Sequence, residues 1–532
     1  MKMTITKPRY ASMFGGAGFH NNEAMLYPIL EKAHFEQVLC KCYREISPGF
    51  MRTFGGYDDW TQTSMDAFAE YYEQMQKVTD TPIYLAAAKG KVHFSDEDMK
   101  TYADGVACNL SYLYYQKNVK HLRYYCYSNE MSCGGWGDLM HDLPRFKRYH
   151  ELLYEAFARY KLPIGLLATD ASEYENWSTV DWAMENMPRI TEDYCVHIYE
   201  RAHSIDDVDF YGFFKDKCAE IVSKAVRNDG KRVILGEFGI QKGDTGHLTF
   251  NGNVVVDVNR YYENARDSAY CALMLAEMCF AAVNAGIWAL ALWSYTDYPD
   301  PYSCAYSSKP GYAEKWGSVE RFVSGTTDVK YNKYGLFRFE DNGDHGAREP
   351  YWCLGLLFKL YKRNTKVLHI ECEDALLRSC AVMTKDGRVT LGVVNRHETA
   401  VPLTLSVESF AGRAVRVYEY DPENVPVNRF ADLQPPSDVL PAGETLSFSL
   451  RPMSVTFFTT DYIEKTAHTE ADGVKVENGT LSWQPTDDVN HCYYRVFLHG
   501  TQIASTVGTT LDADDPDAAH YRVVSVDTSG NA

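Results

Sequence analysis

The chain has 532 residues, too many for one hydrophobic core and enough for two to four domains. Its net charge of −19 argues against a nucleic-acid partner, which needs a basic face, and makes a polyanionic substrate a poor fit. Hydrophobic residues at 45% and charged residues at 23% are ordinary for a soluble globular protein, while 39 Tyr and 9 Trp suit either carbohydrate clefts or large cores.

Fourteen cysteines occur without a CxxC pair, which predicts a reducing compartment. The N-terminus, Met1 to Pro8, lacks the apolar core of a signal peptide, so a cytoplasmic location is expected unless a leader has been trimmed. The most apolar stretch, Tyr270 to Trp293, is broken by Glu277, Asn284 and Gly286. It reads as helix, turn and buried strand, and no membrane span is expected.

In chain order, Tyr10 to Phe19 reads as a first strand and its loop. The glycine cluster there lacks both the phosphate-loop ending and the dinucleotide spacing. A helical pattern over Glu23 to Cys42 leads to a second strand at Met51 to Phe54, where Arg52 is a candidate partner for a carboxylate. Met65, Phe68, Tyr72 and Met75 repeat at helical spacing in a helix over Ser64 to Val78, with Ser64 as its cap. Pro82 to Ala88 is the third strand, and Ser95 with Asp98 starts the next helix. Leu122 to Ser128 is the fourth strand, ending at Asn129-Glu130. A helix over Asp142 to Tyr160 precedes the fifth strand, Ile164 to Ala168, which ends near Asp170.

The sixth strand, Tyr194 to Tyr199, carries His197 and Tyr199 on one face. A helix over Phe210 to Asn228, the seventh strand Val233 to Glu237, a helix over Asn259 to Asn284 and the eighth strand Gly286 to Trp293 follow. Strands alternating with helices predict a (β/α)8 TIM barrel, closed by a helix over Tyr351 to Lys362. Beyond about Val367 strands follow one another without helices, which predicts an all-β sandwich and then a small β module. The expected division is 1–365 barrel, 366–464 sandwich and 465–532 terminal module, the last with an acidic turn at Asp512 to Asp517.

Glu237 ends the seventh strand as Gly236-Glu-Phe-Gly239, and Glu130 ends the fourth. An unpaired carboxylate at a buried strand end is costly for stability but suits catalysis, because barrel active sites sit at the C-terminal strand ends. Two such groups facing each other fit glycosidic bond cleavage. One acid protonates the leaving oxygen, and a second carboxylate attacks the anomeric carbon or activates water. Separations of roughly 5–5.5 Å give retention and roughly 6.5–9.5 Å give inversion. The acid needs a raised pKa, and the nucleophile must stay ionised. No metal or cofactor is expected, since no second ligand stands at metal spacing from His197. Trp136 and Trp177 in loops, with Asp170 and Asp297 near strand ends, are further candidates for sugar contact.

These motifs, over about residues 8 to 365, resemble the retaining glycoside hydrolases of clan A, particularly its family 5 cellulase-like and family 39-like branches. The resemblance implies Glu130 as general acid/base and Glu237 as nucleophile. It implies that Asn129 binds the sugar 2-hydroxyl, that Arg52 lies near the nucleophile and that Tyr199 bonds Glu237. His197 would orient the site, and Trp293 would floor the sugar subsite. Many members carry Pro after the Asn-Glu pair, where this chain has Met131. The last module, at Tyr521 to Asn531, resembles a fibronectin type III domain. The expected function is hydrolysis of β-glycosidic bonds in oligo- or polysaccharides, by exo or endo action. The alternatives are a non-catalytic carbohydrate-binding barrel and a metal-dependent barrel hydrolase.

Overall fold

A computed structural model of the chain describes all residues except 7–11, 22–34, 57, 59, 88–92, 132–136, 202–209, 242–246, 251–252, 258–268, 300–330, 333, 339–345, 408–409, 411, 442, 444 and 465–469. Trp136, most of the Tyr295 to Trp316 loop and most of the first predicted helix lie outside the described residues.

Eight parallel strands close a barrel: Gly16–His20, Phe50–Phe54, Ile83–Ala86, Leu122–Cys126, Gly165–Ser172, Asp193–Arg201, Val233–Gln241 and Ala289–Leu292. Closure is made by Ala289–Leu292 pairing with Gly16–His20. The strands are continuous apolar runs because helices cover their outer faces and side chains fill the inside. The helices start where side chains satisfy their free N–H groups. Ser95 Oγ accepts from Asp98 N at 3.2 Å, and Asp142 Oδ1 accepts from Arg145 N at 3.2 Å. The helix Gln62–Val78 is capped by Thr61, whose Oγ1 accepts from Ser64 N at 3.2 Å. Ser64 is therefore inside the first turn and is not the cap. A helix over Ser178–Asn186, between the fifth and sixth strands, was not evident from the pattern.

The second unit is a ten-stranded mixed sheet wrapped around its own core. Its members include Thr365–Cys372, Leu377–Met383, Val389–Asn395, Val401–Val407, Val415–Tyr420, Thr445–Leu450 and Ser454–Thr459. The N-terminal strand Lys2–Thr6 lies in this sheet and not in the barrel. It runs antiparallel to Thr365–Cys372 and parallel to Val401–Val407. Its burial explains the location: Met3 and Ile5 are inward and the alternate residues are not, as a sheet with one wet face requires. The C-terminal unit holds two three-stranded sheets, Lys475–Glu477, Thr480–Ser482 and Thr510–Asp512, and Thr501–Thr506, His491–Leu498 and Tyr521–Asp527.

A buried charge cluster joins the three units under the barrel. Lys41 Nζ donates to the Ala431 carbonyl at 2.9 Å and pairs with Asp432 at 2.9 Å and Glu45 at 3.2 Å. Asp432 also receives Arg495 of the C-terminal unit at 3.0 Å, and Glu45 accepts from Leu433 N at 3.2 Å. Burial opposes the Lys41 charge, but its two carboxylate neighbours outweigh it and raise its pKa. Removing one member of a buried cluster strands the others without water. Lys41→Ala is therefore expected to cost about 3–5 kcal/mol in denaturant unfolding. Retained wild-type stability in that variant would contradict this role.

Candidate active site

Arg52 leaves the second strand pointing into the mouth of the barrel and is fully buried. Its Nη1 donates to Glu237 Oε2 at 2.8 Å and meets His20 Nδ1 at 3.0 Å. Its Nη2 donates to Asn129 Oδ1 at 2.5 Å and to Asp170 Oδ2 at 3.2 Å. One guanidinium thus links the ends of the first, second, fourth, fifth and seventh strands, a use that its planar fork of donors allows. The Phe54 and Tyr84 rings flank it, with centroids 5.0 and 5.4 Å from Cζ.

Glu237 lies within the seventh strand, beside His197 in the register of the sixth. Its other oxygen, Oε1, accepts from the Tyr199 hydroxyl. Glu130 follows the fourth strand in a left-handed conformation, φ 49°, which a non-glycine residue adopts at a cost of about 1–3 kcal/mol. The Ser128 hydroxyl donates to the Thr169 carbonyl at 2.7 Å and ties the fourth strand to the fifth just before this turn.

Irregular pairing aims two further side chains into the mouth. The fifth and sixth strands shift register between Thr169 and Ala171, where Asp170 has φ 55°. The sixth and seventh shift between Val196 and His197. Bulges at a barrel rim re-aim side chains in this way. Asp170 Oδ2 stands 3.3 Å from His197 Nε2 and also accepts from the Tyr84 hydroxyl. His197 Nδ1 lies 3.8 Å from Glu130 Oε1 and 3.7 Å from Glu237 Oε2. Those two separations are too long for hydrogen bonds and are charge–charge contacts. Trp177 is buried, and its Nε1 donates to the His197 carbonyl at 3.0 Å, so it supports the sixth strand.

Five predicted residues, Arg52, Asn129, His197, Tyr199 and Asp170, therefore gather around Glu130 and Glu237. Trp293 joins them at the rim, almost buried, with its ring 4.2 Å from that of His20. Asp297 does not join. It is fully buried and held by Arg348 at 2.7 and 2.8 Å, so it clamps the segment after the eighth strand instead of meeting a ligand. His20 and Tyr84 belong to the site but were not singled out in the sequence, because a His or Tyr at a strand end is common in any barrel. A cavity of about 470 Å³ lined by Arg123, Glu192 and Lys231 is at the N-terminal ends of the strands, away from this chemistry.

An oxygen of Glu130, an oxygen of Glu237 and a nitrogen of His197 all lie within 4.8 Å of one another. These distances alone would admit a metal ion, as would Asp170, Cys195 and His197. The electrostatics do not fit one. Arg52 already occupies Glu237, and His197 carries a proton. Burial disfavours that proton, but Asp170 and Glu237 prevail and raise the imidazole pKa to about 9.

The carboxylates respond in opposite directions. Burial pushes Glu237 above its ordinary value, against Arg52, His197 and Tyr199. Burial also opposes the charge on Glu130, but the neighbouring His197 cation outweighs it and holds this carboxyl below its ordinary value. Glu130 is thus shifted down and Glu237 up, the reverse of the raised acid and ionised nucleophile that the motifs lead one to expect.

No protein-family profile matches the chain, and no curated protein matches it. Solved structures do. The catalytic domain of a GH30 xylanase C from Talaromyces cellulolyticus superposes with a TM-score of 0.57 at 13% identity, over 86% of this chain and 99% of that one. A GH51 arabinofuranosidase from Xanthomonas axonopodis pv. citri gives 0.56 at 13% identity, over 86% and 99%. A bacterial orthologue of human α-L-iduronidase gives 0.58 at 14% identity, over 100% and 98%. These likenesses show a shared fold, a TIM barrel with an attached β domain.

A histidine whose folded pKa is raised stabilises the fold fully below its unfolded value. That contribution is lost as pH rises through the folded value. The melting temperature of the wild type minus that of His197→Gln should thus be largest below about pH 6.5 and shrink as pH passes through about 9. A difference that stays constant from pH 6 to 10 would contradict a protonated His197.

Proposed function

We propose that this protein hydrolyses glycosidic bonds with retention of anomeric configuration, through a glycosyl-enzyme intermediate on Glu237. The observation that carries the reading is the approach of the two carboxylates, oxygen to oxygen within 4.8 Å. That spacing suits direct attack by one group. An inverting site instead holds its carboxyls roughly 6.5–9.5 Å apart, with a water between them.

Glu237 attacks the anomeric carbon. Arg52 and Tyr199, one on each oxygen, keep its carboxylate ionised and fix its direction. Glu130 donates a proton to the departing oxygen and later removes one from water. Its side chain is 22% exposed. A sugar ring over the mouth strips the water from it and raises its pKa. Formation of the glycosyl ester also removes the negative charge of Glu237. The third carboxylate, Asp170, keeps His197 charged throughout. Asn129, fixed by Arg52, presents its amide to a sugar hydroxyl, and Trp293 supplies an apolar face. The same reading takes the terminal module as fibronectin type III-like and the substrate as a β-linked oligo- or polysaccharide.

The test is a panel of aryl β-glycosides and an aryl α-L-arabinofuranoside, with product configuration followed by NMR. One sugar should be released with retention, and Glu130→Ala should lower kcat by about 10²–10⁴-fold. Glu237→Gly should be inactive, and azide should restore it to give a glycosyl azide of inverted configuration. Near-normal turnover by Glu237→Gly would refute the assignment. Binding of oligosaccharides without turnover of any substrate would favour a non-catalytic carbohydrate-binding barrel.

A further inference from the structure

The C-terminal unit carries a second cluster of donors, far in sequence from the barrel site. His499 lies in the turn between His491–Leu498 and Thr501–Thr506, with φ 49°. His520 ends the short 3₁₀ turn Ala518–His520, directly before Tyr521–Asp527. Asp515 belongs to an acidic turn in which Asp512, Asp514, Asp515 and Asp517 crowd together. His499 Nε2 lies 3.3 Å from Asp515 Oδ2, and His520 Nδ1 lies 2.9 Å from the same oxygen. One donor atom from each of the three residues falls within 4.8 Å of the other two.

The donors are held in place by the fold. Asp515 N donates to the Tyr521 hydroxyl at 2.7 Å, and Asp515 Oδ1 accepts from Asp517 N at 2.8 Å. One carboxylate oxygen is therefore fixed by backbone, which leaves Oδ2 directed at the two imidazoles. His499 N donates to the His520 carbonyl at 3.0 Å, which locks the two histidine backbones together. Their rings lie 4.4 Å apart, centroid to centroid. Asp517 Oδ2 stands 3.8 Å from His520 Nε2, the ring nitrogen away from Asp515. That distance is too long for a hydrogen bond, so Asp517 adds negative charge beside the cluster without fixing the ring.

The geometry points to a divalent metal site of the zinc type, formed by His499 Nε2, His520 Nδ1 and Asp515 Oδ2, with water completing the coordination. Bonds of about 2.0–2.2 Å in a tetrahedron separate neighbouring donors by about 3.3–3.5 Å. The two nitrogen-to-oxygen distances already approach that edge. Two imidazoles select a borderline ion such as zinc over calcium or magnesium, which prefer all-oxygen cages. The surrounding aspartates attract the cation electrostatically. The side chains of His499, Asp515 and His520 are 59%, 21% and 43% exposed, so an ion and its waters can enter. The bound ion would staple the His499 turn to the acidic turn in a unit whose core is small, centred on Trp483, Tyr494, Val496 and Val523. This site is independent of any chemistry in the barrel.

The test uses the full chain, stripped with a chelator and titrated with Zn²⁺ against a chromophoric competitor. Ca²⁺ serves as the control. The wild type should bind one Zn²⁺ equivalent more than His499→Gln and His520→Gln, and Zn²⁺ but not Ca²⁺ should raise its melting temperature. Co²⁺ in place of Zn²⁺ should give visible absorption that both variants lack. Because His499 is well exposed, His499→Gln keeps the comparison valid even if His520→Gln disturbs the turn. Glycosidase activity, if present, should be the same with and without Zn²⁺. Equal zinc stoichiometry and equal melting shifts in wild type and His499→Gln would overturn the site.

Discussion

The guanidinium of Arg52 is the group on which the mouth of the barrel depends. It is buried without water, so its charge is tolerable only if carboxylates surround it, and Glu237 and Asp170 supply them at 2.8 and 3.2 Å. The dependence is mutual. Without Arg52, Glu237 would be a buried acid next to Glu130, and burial together with that like charge would drive it to the neutral form. The same cation fixes Asn129, the residue before Glu130, so the two carboxylates are positioned through one shared partner.

Around this cation the charges are nearly balanced. Arg52 and His197 contribute two positive charges, against the three carboxylates Glu130, Asp170 and Glu237. One further proton would neutralise the group. Against burial, Asp170 and Glu237 raise the His197 pKa to about 9, and Glu130 is the most exposed carboxylate of the three. Water therefore favours ionised Glu130 until a substrate displaces it.

Much of this was legible in the sequence because barrel strands are buried on both faces and announce themselves as apolar runs. Polar residues at their ends, such as Arg52, Asn129, Glu130 and Glu237, then stand out by contrast. His197 and Tyr199 stood out by sharing one face of a strand. Features that depend on pairing did not stand out. Nothing local in Lys2–Thr6 says that it is a strand between Thr365–Cys372 and Val401–Val407. Asp170 reads as a loop residue after Ala168, because the bulge that extends the fifth strand to Ser172 has no signature of its own. Lys41 and Glu45 look like an exposed i,i+4 helix pair and are instead buried against Asp432 and Leu433, some 390 residues away.

The barrel trio of Glu130, Glu237 and His197 and the C-terminal trio of His499, His520 and Asp515 each bring three donors within 4.8 Å of one another, yet their surroundings give them different capacities. In the barrel, Arg52 stands 2.8 Å from Glu237 and the imidazole of His197 is protonated, so two positive charges occupy the space where a cation would bind. A metal there would have to displace a buried guanidinium and a proton held by Asp170. At the C-terminal cluster the fixed oxygen of Asp515 is bonded to a backbone N–H, which carries no net charge, and the other oxygen faces two imidazoles in contact with water. Buried positive charge leaves the barrel carboxylates paired with cations of the protein itself. Neutral backbone donors leave the Asp515 carboxylate available to a metal.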